Sequence, residues 1–363
     1  LPISVVYAST DAMYLATSSW SDQVAEGQGS SPAAVTDIHG FSLADPTAPR
    51  YLGSGSVPGV LTDQYALSEY GGVLRVATTV GQAYAPVPGA ASQDQQVAPA
   101  VGTSDNLVTV LQPSGGALVP IGQVSGLGRG ERIYGVRFLG SLGYVVTFRQ
   151  TDPLYVIDLS DPRHPALQGQ LQLTGFSAYL HPLGGGRLLG LGQETDQGGD
   201  GVQVSVFDVS DPTHPALDAR RYFGSSYSTA EHDPHQFLWW PGRGLAIIPV
   251  QQYAAGQSFT GDIVLRVNPD GSLTEVGRIS QPAPPPRAEP SRPEPAQSGA
   301  AAASAAAPAP AAGGTMMAPN YGTGIERALI VGDLIYTVSD GGVMASDIDS
   351  LDQVAWMPFP SGQ

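Results

Sequence analysis

The apolar positions of this chain fall into short runs separated by turn residues, and two of these runs lead into almost the same words. Residues 155–167 read Y-V-I-D-L-S-D-P-R-H-P-A-L, and residues 205–217 read S-V-F-D-V-S-D-P-T-H-P-A-L. Each copy is a stretch rich in valine, isoleucine and aromatics that stops at Ser-Asp-Pro, turns and restarts at Ala-Leu, which predicts a strand, a tight turn and a second strand. The aspartate can accept from backbone two residues on, and proline fixes φ near the value a type I turn needs at its second position. Hairpins recurring at about 50 residues predict a propeller-type array of blades.

Taken in order, the runs group in fours. The first unit uses Ser4 to Tyr7, Met13 to Thr17, Thr36 to Leu43 and Arg50 to Leu52, the last two flanking A-D-P-T-A-P, a weaker third copy of the Asp-Pro turn. The second uses Gln64 to Leu67, Val73 to Thr79, Leu107 to Leu111 and Leu118 to Val124, with a Gln, Ala and Pro loop between its middle runs. The third is I-Y-G-V-R-F-L, G-Y-V-V-T-F-R, L-Y-V-I-D-L and L-Q-G-Q-L-Q-L, four strands in the ~45 residues of one blade. A fourth covers Ser177 to Phe223. A fifth takes Gln236 to Trp240, Leu245 to Val250, Asp262 to Val267 and Leu273 to Ile279, and the sixth covers Arg327 to Met357. Runs such as Gly143 to Phe148 and Leu245 to Val250 are apolar on both faces instead of alternating, so each must be covered from both sides. Blades standing around an axis supply that double cover, and an open β-sandwich, which would leave more alternation, ranks second. The expected fold is all-β: a β-propeller of four-stranded antiparallel blades, about six of them visible.

Between Gln281 and Gly322 the composition changes to proline, alanine, glutamate and serine, with too little apolar area to offset the entropy of ordering it. Strands resume afterwards, so one domain is expected: blades one to five over 1–281, a disordered Pro/Ala-rich insertion over 282–322, and the last blade over 323–363. The 46 glycines and 32 prolines, with 13% charged residues, fit a turn-rich β composition. A formal charge of −16, with all 16 basic residues arginine and scattered, argues against nucleic acid and against a polybasic membrane patch. No run of about 18 apolar residues is present to span a bilayer. The absence of cysteine removes disulfides, thiolate metal sites and cysteine nucleophiles. Leu1 to Tyr7 reads as a strand without the basic start of an export signal, as in a processed or truncated product.

Five stretches carry a resemblance: S-V-V-Y-A-S near the start, L-S-E-Y-G-G-V-L-R-V-A-T-T at 67–79, G-E-R-I-Y-G-V-R-F at 130–138, G-Y-V-V-T-F-R-Q-T-D-P-L-Y-V-I-D-L-S-D-P at 143–162, and R-A-L-I-V-G-D-L-I-Y-T-V-S-D-G-G at 327–342. In this order they resemble a family of secreted prokaryotic proteins with a C-terminal β-propeller domain distantly related to WD40 repeats. The resemblance implies a secreted or envelope-exposed propeller with no attributable catalytic activity. It also implies further sequence upstream of the point matching Leu1, so that the six units are either a complete ring or most of a larger one.

The densest cluster of reactive side chains is Glu231-His232-Asp233-Pro234-His235, just before the fifth unit. His232, Asp233 and His235 are the candidate ligands of a divalent metal whose bound water could attack an ester or lactone. The alternative is that Asp233 and His235 tie a blade-top loop by hydrogen bonds. The family carries an Asp-His-x-Ala-Phe-like pattern here, and Asp233-Pro234-His235-Gln236-Phe237 departs from it. His164 and His214 occupy matching places in the two Asp-Pro turns and read as rim furniture, while His39 and His181 read as structural. The candidate ligand-binding residues are Arg137 and Arg327, offered to an anionic ligand in the central channel, with Glu69 and Arg75 near them in the pattern. Ion pairs locking neighbouring blades are the competing reading of the same arginines. No G-x-S-x-G elbow, H-E-x-x-H helix or P-loop lysine is present.

These readings point to a secreted or cell-surface module that binds or scaffolds a protein or cell-envelope component, without catalysis and without a required cofactor. The alternatives are a metal-dependent hydrolase or lyase with its site on the blade tops, and a subunit of a cell-envelope assembly.

Overall fold

Each group of apolar runs forms an antiparallel sheet, four-stranded except for the fifth, which has five strands, and a short parallel pairing of Gly53 and Ser54 with Gly116 and Ala117 joins the first two sheets. The computed structural model describes residues 5–21, 33–45, 47–81, 104–148, 152–194, 201–254, 257–282 and 324–360. Blade 1 holds β1 (Val5–Ala8), β2 (Ala12–Ser21), β3 (Ala33–Ser42) and β4 (Arg50–Pro58). Blade 2 holds β5 (Leu67–Tyr70), β6 (Val73–Val80), β7 (Asp105–Ser114) and β8 (Gly116–Val124). Blade 3 holds β9 (Arg132–Leu139), β10 (Leu142–Phe148), β11 (Asp152–Asp158) and β12 (Ala166–Leu173). Blade 4 holds β13 (Phe176–Gly184), β14 (Arg187–Glu194), β15 (Gly201–Asp208) and β16 (Ala216–Tyr222). Blade 5 holds β17 (Ser226–Tyr227), β18 (Leu238–Trp240), β19 (Leu245–Ala254), β20 (Gln257–Val267) and β21 (Leu273–Ile279). Blade 6 holds β22 (Ile325–Val331), β23 (Leu334–Ser339), β24 (Gly342–Asp347) and β25 (Gln353–Pro358).

The expected all-β propeller architecture is therefore present. Two details of the expected strands differ. Gln64–Ala66 is a 3-10 turn capped by Asp63, with β5 starting only at Leu67, because the aspartate accepts from the Tyr65 N–H and diverts the backbone. Gln236 likewise closes a 3-10 turn, Pro234–Gln236, so the strand there begins at Leu238. The loop from Gln82 and, apart from Pro282, the expected insertion at 282–322 lie outside the described residues.

The core is a series of apolar layers between sheets. Leu67, Leu74 and Leu111 of blade 2 meet Tyr14, Ile38 and Val57 of blade 1. Val108 and Val110 of blade 2 meet Val136, Val145 and Ile157 of blade 3. Tyr144, Val146 and Val156 meet Leu180, Leu188 and Phe207 across the joint between blades 3 and 4. Leu189 and Val204 meet Ile248 and Ile263 between blades 4 and 5, and Ile247 and Val264 meet Ile335 and Met344 between blades 5 and 6. Each such side chain contributes about 1.5–3 kcal/mol on burial. Consequently β6 and β15 are buried along nearly their whole length on both faces.

The outer rim repeats a second device. In every blade the outermost strand carries one extra residue opposite its neighbour, at register shifts beside Gly40, Val110, Val156, Val206, Val264 and Ala345. The residue just past each bulge is small: Gly53, Gly122, Gly169, Ala219, Gly277 and Ala355. Against it sits the outer turn of the next blade. Gly116 lies on Gly53, the Asp161 turn on Gly122, the Asp211 turn on Gly169, and Leu351 on Gly277. Beside Ala219, the bulged Asp218 receives the blade 5 turn at Gly271, held by Arg187, which donates to Asp218 at 2.7 Å and to the Pro269 carbonyl at 3.1 Å.

The first and last blades differ from those between them. In β2, Ala12, Tyr14 and Ala16 are buried while Met13, Leu15 and Thr17 are only partly covered. The strand β23 alternates in the same way along its whole length. Each end blade thus has one face against its neighbour and one face without a core layer among the described residues.

Candidate functional site

Side chains from four blades converge where the inner ends of the sheets meet. The 3-10 turn ahead of β5 presents Tyr65, and β9 presents Arg137, whose guanidinium lies over the Tyr65 ring with its carbon 4.7 Å from the centroid. From β13 come Tyr179 and His181, and Phe237 follows the 3-10 turn of blade 5. The rings of Tyr65 and Tyr179 are 5.6 Å apart, those of Tyr179 and Phe237 5.5 Å, and those of His181 and Phe237 4.9 Å. The Tyr179 hydroxyl and His181 Nδ1 are hydrogen-bonded at 2.9 Å.

Burial sets the protonation of this group. It raises the Asp63 carboxyl, against the opposing pull of the Tyr65 and Ala66 N–H groups and of Arg137. It pushes His181 down to about 4, assisted by the positive charge of Arg137, so the imidazole is neutral at ordinary pH. It also raises the Tyr179 hydroxyl, which therefore stays protonated. The result is one cation among neutral rings. Arg187, Arg220, Arg221, Arg243, Arg278 and Arg327 each hold a carboxylate. Arg137 takes part in none of the ion pairs found among the described residues. A planar guanidinium resting on a tyrosine, with its donors unspent on carboxylates, suits a carboxylate or phosphate group.

The other residues singled out in the sequence lie elsewhere. Arg75 is buried between blades 2 and 3, donating to Ser68 Oγ at 2.6 Å and to the Gly140 carbonyl, with its guanidinium against the rings of Tyr70 and Phe138. Desolvation lowers its pKa to about 10. Glu69 closes the neighbouring turn by accepting from the Gly72 N–H at 3.0 Å. Arg327 joins blade 6 to blade 5 by donating to Asp233 Oδ2 at 3.0 Å. Asp233 also binds His235, with its Oδ1 2.9 Å from His235 Nδ1, and accepts from the His235 N–H at 3.2 Å. Against its partial burial, these bonds and the one from Arg327 bring its carboxyl down to about 2.

His232 is exposed, its ring 6.0 Å from that of Tyr227. Glu231 points the other way, buried beside Gln193 Nε2 at 2.9 Å, and desolvation raises it to about 7. The structure thus brings together Asp233, His235 and Arg327 and leaves Arg137 in a separate group. Among the described residues no group of three His, Cys, Asp or Glu stands together as a metal ion requires. Sequence reasoning missed Asp63, Tyr65, Tyr179 and Phe237, and took His181 as merely structural. The usable signal was Tyr65, Arg137 and Tyr179 recurring near the start of successive units.

The family model for the beta propeller domain matches residues 2–351. An uncharacterised protein of Methanocaldococcus jannaschii is 35% identical over 225 residues, 62% of this chain and 33% of the relative. An uncharacterised protein of Archaeoglobus fulgidus is 38% identical over 200 residues, 55% of this chain and 28% of that relative. The matched stretch therefore spans a third or less of either archaeal protein.

Proposed function

Because this chain belongs to the beta propeller domain family, we propose that it works as a binding module without catalysis of its own, gripping an anionic group of a protein or cell-envelope partner at the axial cluster. The observation that carries this reading is Arg137, stacked on Tyr65 at 4.7 Å and holding no carboxylate of its own among the described residues. Tyr65, Tyr179 and Phe237 supply apolar walls, and Arg137 supplies the charge that fixes orientation. The neutral His181 adds a polar edge without a second charge. The protein acts outside the cytoplasm, secreted or held at the cell surface. What supports this is the resemblance carried by residues 67–79, 130–138 and 143–162.

The test is a titration of the isotopically labelled chain with inorganic phosphate and with acetate, following the arginine side-chain N–H signals together with the ring signals of Tyr65 and Tyr179. A saturable shift that disappears in Arg137→Ala and survives in Arg243→Ala is expected. A non-saturating drift shared by all the arginines would contradict the reading.

A further inference from the structure

The two end faces of the blade series, which no described residue covers with a core layer, carry matching halves of one joint. On blade 1 the open face has a hollow of about 720 Å³ lined by Leu15, Thr17, Asp37, His39 and Phe41 among others. On blade 6 the outer side exposes Leu329, Val331, Val354 and Met357, the last at 61%. No apolar core cluster among the described residues joins blade 1 to blade 6, although one fills each of the other joints.

The rim shows what these faces are built to meet. In blades 3 and 4 the outer turn is fixed by an aspartate accepting from the N–H two residues on, and it docks on the glycine past the preceding blade's bulge. Blade 1 has the same turn: Asp45 Oδ1 accepts from the Thr47 N–H at 3.0 Å, and its carbonyl accepts from the Ala48 N–H at 3.0 Å. Among the described residues no blade stands against that turn. Blade 6 has the complementary half, a bulge in β25 followed by the small, exposed Ala355, against which no turn lies among the described residues.

We propose that both faces are one interface, occupied by a single further four-stranded antiparallel blade supplied by a partner segment. The blade is apolar on both sides, with an Asp-type outer turn to seat on Ala355 and a small residue past its own bulge to receive the Asp45 turn. The inference follows from continuity with the joints already in place and is independent of the axial anion site.

The absence of cysteine from the chain makes the alternatives separable. In the double variant Thr47→Cys with Ala355→Cys, a disulfide within one chain would mean that the six blades shut on themselves. A disulfide between chains would mean that a second copy covers the faces. Either result overturns the proposal, which predicts neither. In the second arm, an extra copy of blade 3, residues 126–173, is fused by a flexible linker ahead of the full chain. Hydroxyl-radical labelling of Leu15 and Phe41 and of Leu329 and Met357 is expected to fall at least several-fold together, with a rise in Tm. Labelling that stays unchanged, or falls on one face alone, counts against it.

Discussion

Gly169 of blade 3 lies directly against the carbonyl of Pro212 in blade 4, so that a Cβ at Gly169 would overlap that oxygen. The contact is backbone on backbone, and neither side has a flexible end to yield. Gly169→Val should therefore cost about 1–3 kcal/mol in urea unfolding. Ala355→Val, at the equivalent but uncovered place in blade 6, should stay within about 0.5 kcal/mol of the parent.

Arg75 bridges blades 2 and 3 through Ser68, the Gly140 carbonyl and the rings of Tyr70 and Phe138. Its replacement by alanine leaves the Gly140 carbonyl and Ser68 without their donor and opens space between Tyr70 and Phe138. A loss of about 1–3 kcal/mol is expected, measured by urea unfolding. Arg75→Lys should recover less than half of it, since an ammonium cannot reach both acceptors as a planar fork does.

Asp262 is wholly buried, both its carboxyl oxygens lack a hydrogen-bond partner, and desolvation raises it to about 8. The folded state therefore keeps its proton while the unfolded chain releases it near 4. The contribution to stability is full below the unfolded value, declines as pH rises by at most roughly 1.4 kcal/mol per unit, and levels off above the folded value. Asp262→Asn should remove this slope. The variant gains on the parent from pH 5 to pH 8, as chemical denaturation at a series of pH values will show.

His181 has the opposite sign. Its folded value of about 4 lies below the ordinary 6.5, so its contribution is present above pH 6.5 and is lost as pH falls through the folded value. Its ring resonances should stay those of the neutral form from pH 7.5 to about pH 5. His181→Asn should move the acid-unfolding midpoint to lower pH.

Much of the fold was legible because its signals are local. The Ser-Asp-Pro turns at Asp161 and Asp211 announce hairpins, and the doubly apolar β10 and β19 announce sheets covered from both sides. The inner edge of blade 5 was not legible, because Ser228 and Asp233 cap two successive 3-10 turns and so interrupt what reads as a strand. The pairing of Asp233 with Arg327 was hidden for another reason: it joins residues that the sequence separates by an entire Pro/Ala-rich stretch. The axial cluster needs Tyr65, Arg137, Tyr179 and Phe237 from four different sheets, and no spacing within one strand reports such a meeting. The open faces did leave a trace. A-M-Y-L-A-T-S in β2 and L-I-Y-T-V-S in β23 alternate in burial, whereas V-L-R-V-A-T-T in β6 does not.

Among the described residues the sheets stand face to face in series, the inner ones covered twice and the end ones once. Hydroxyl-radical footprinting of the purified chain, read residue by residue by mass spectrometry, measures that cover directly. Leu189, Leu191 and Val204, each fully buried, should stay unlabelled, while the exposed Leu329 and Met357 and the partly covered Leu15 and Phe41 are all labelled readily. Equal protection of both groups would show that the end blades are covered in the chain itself, and would contradict the account.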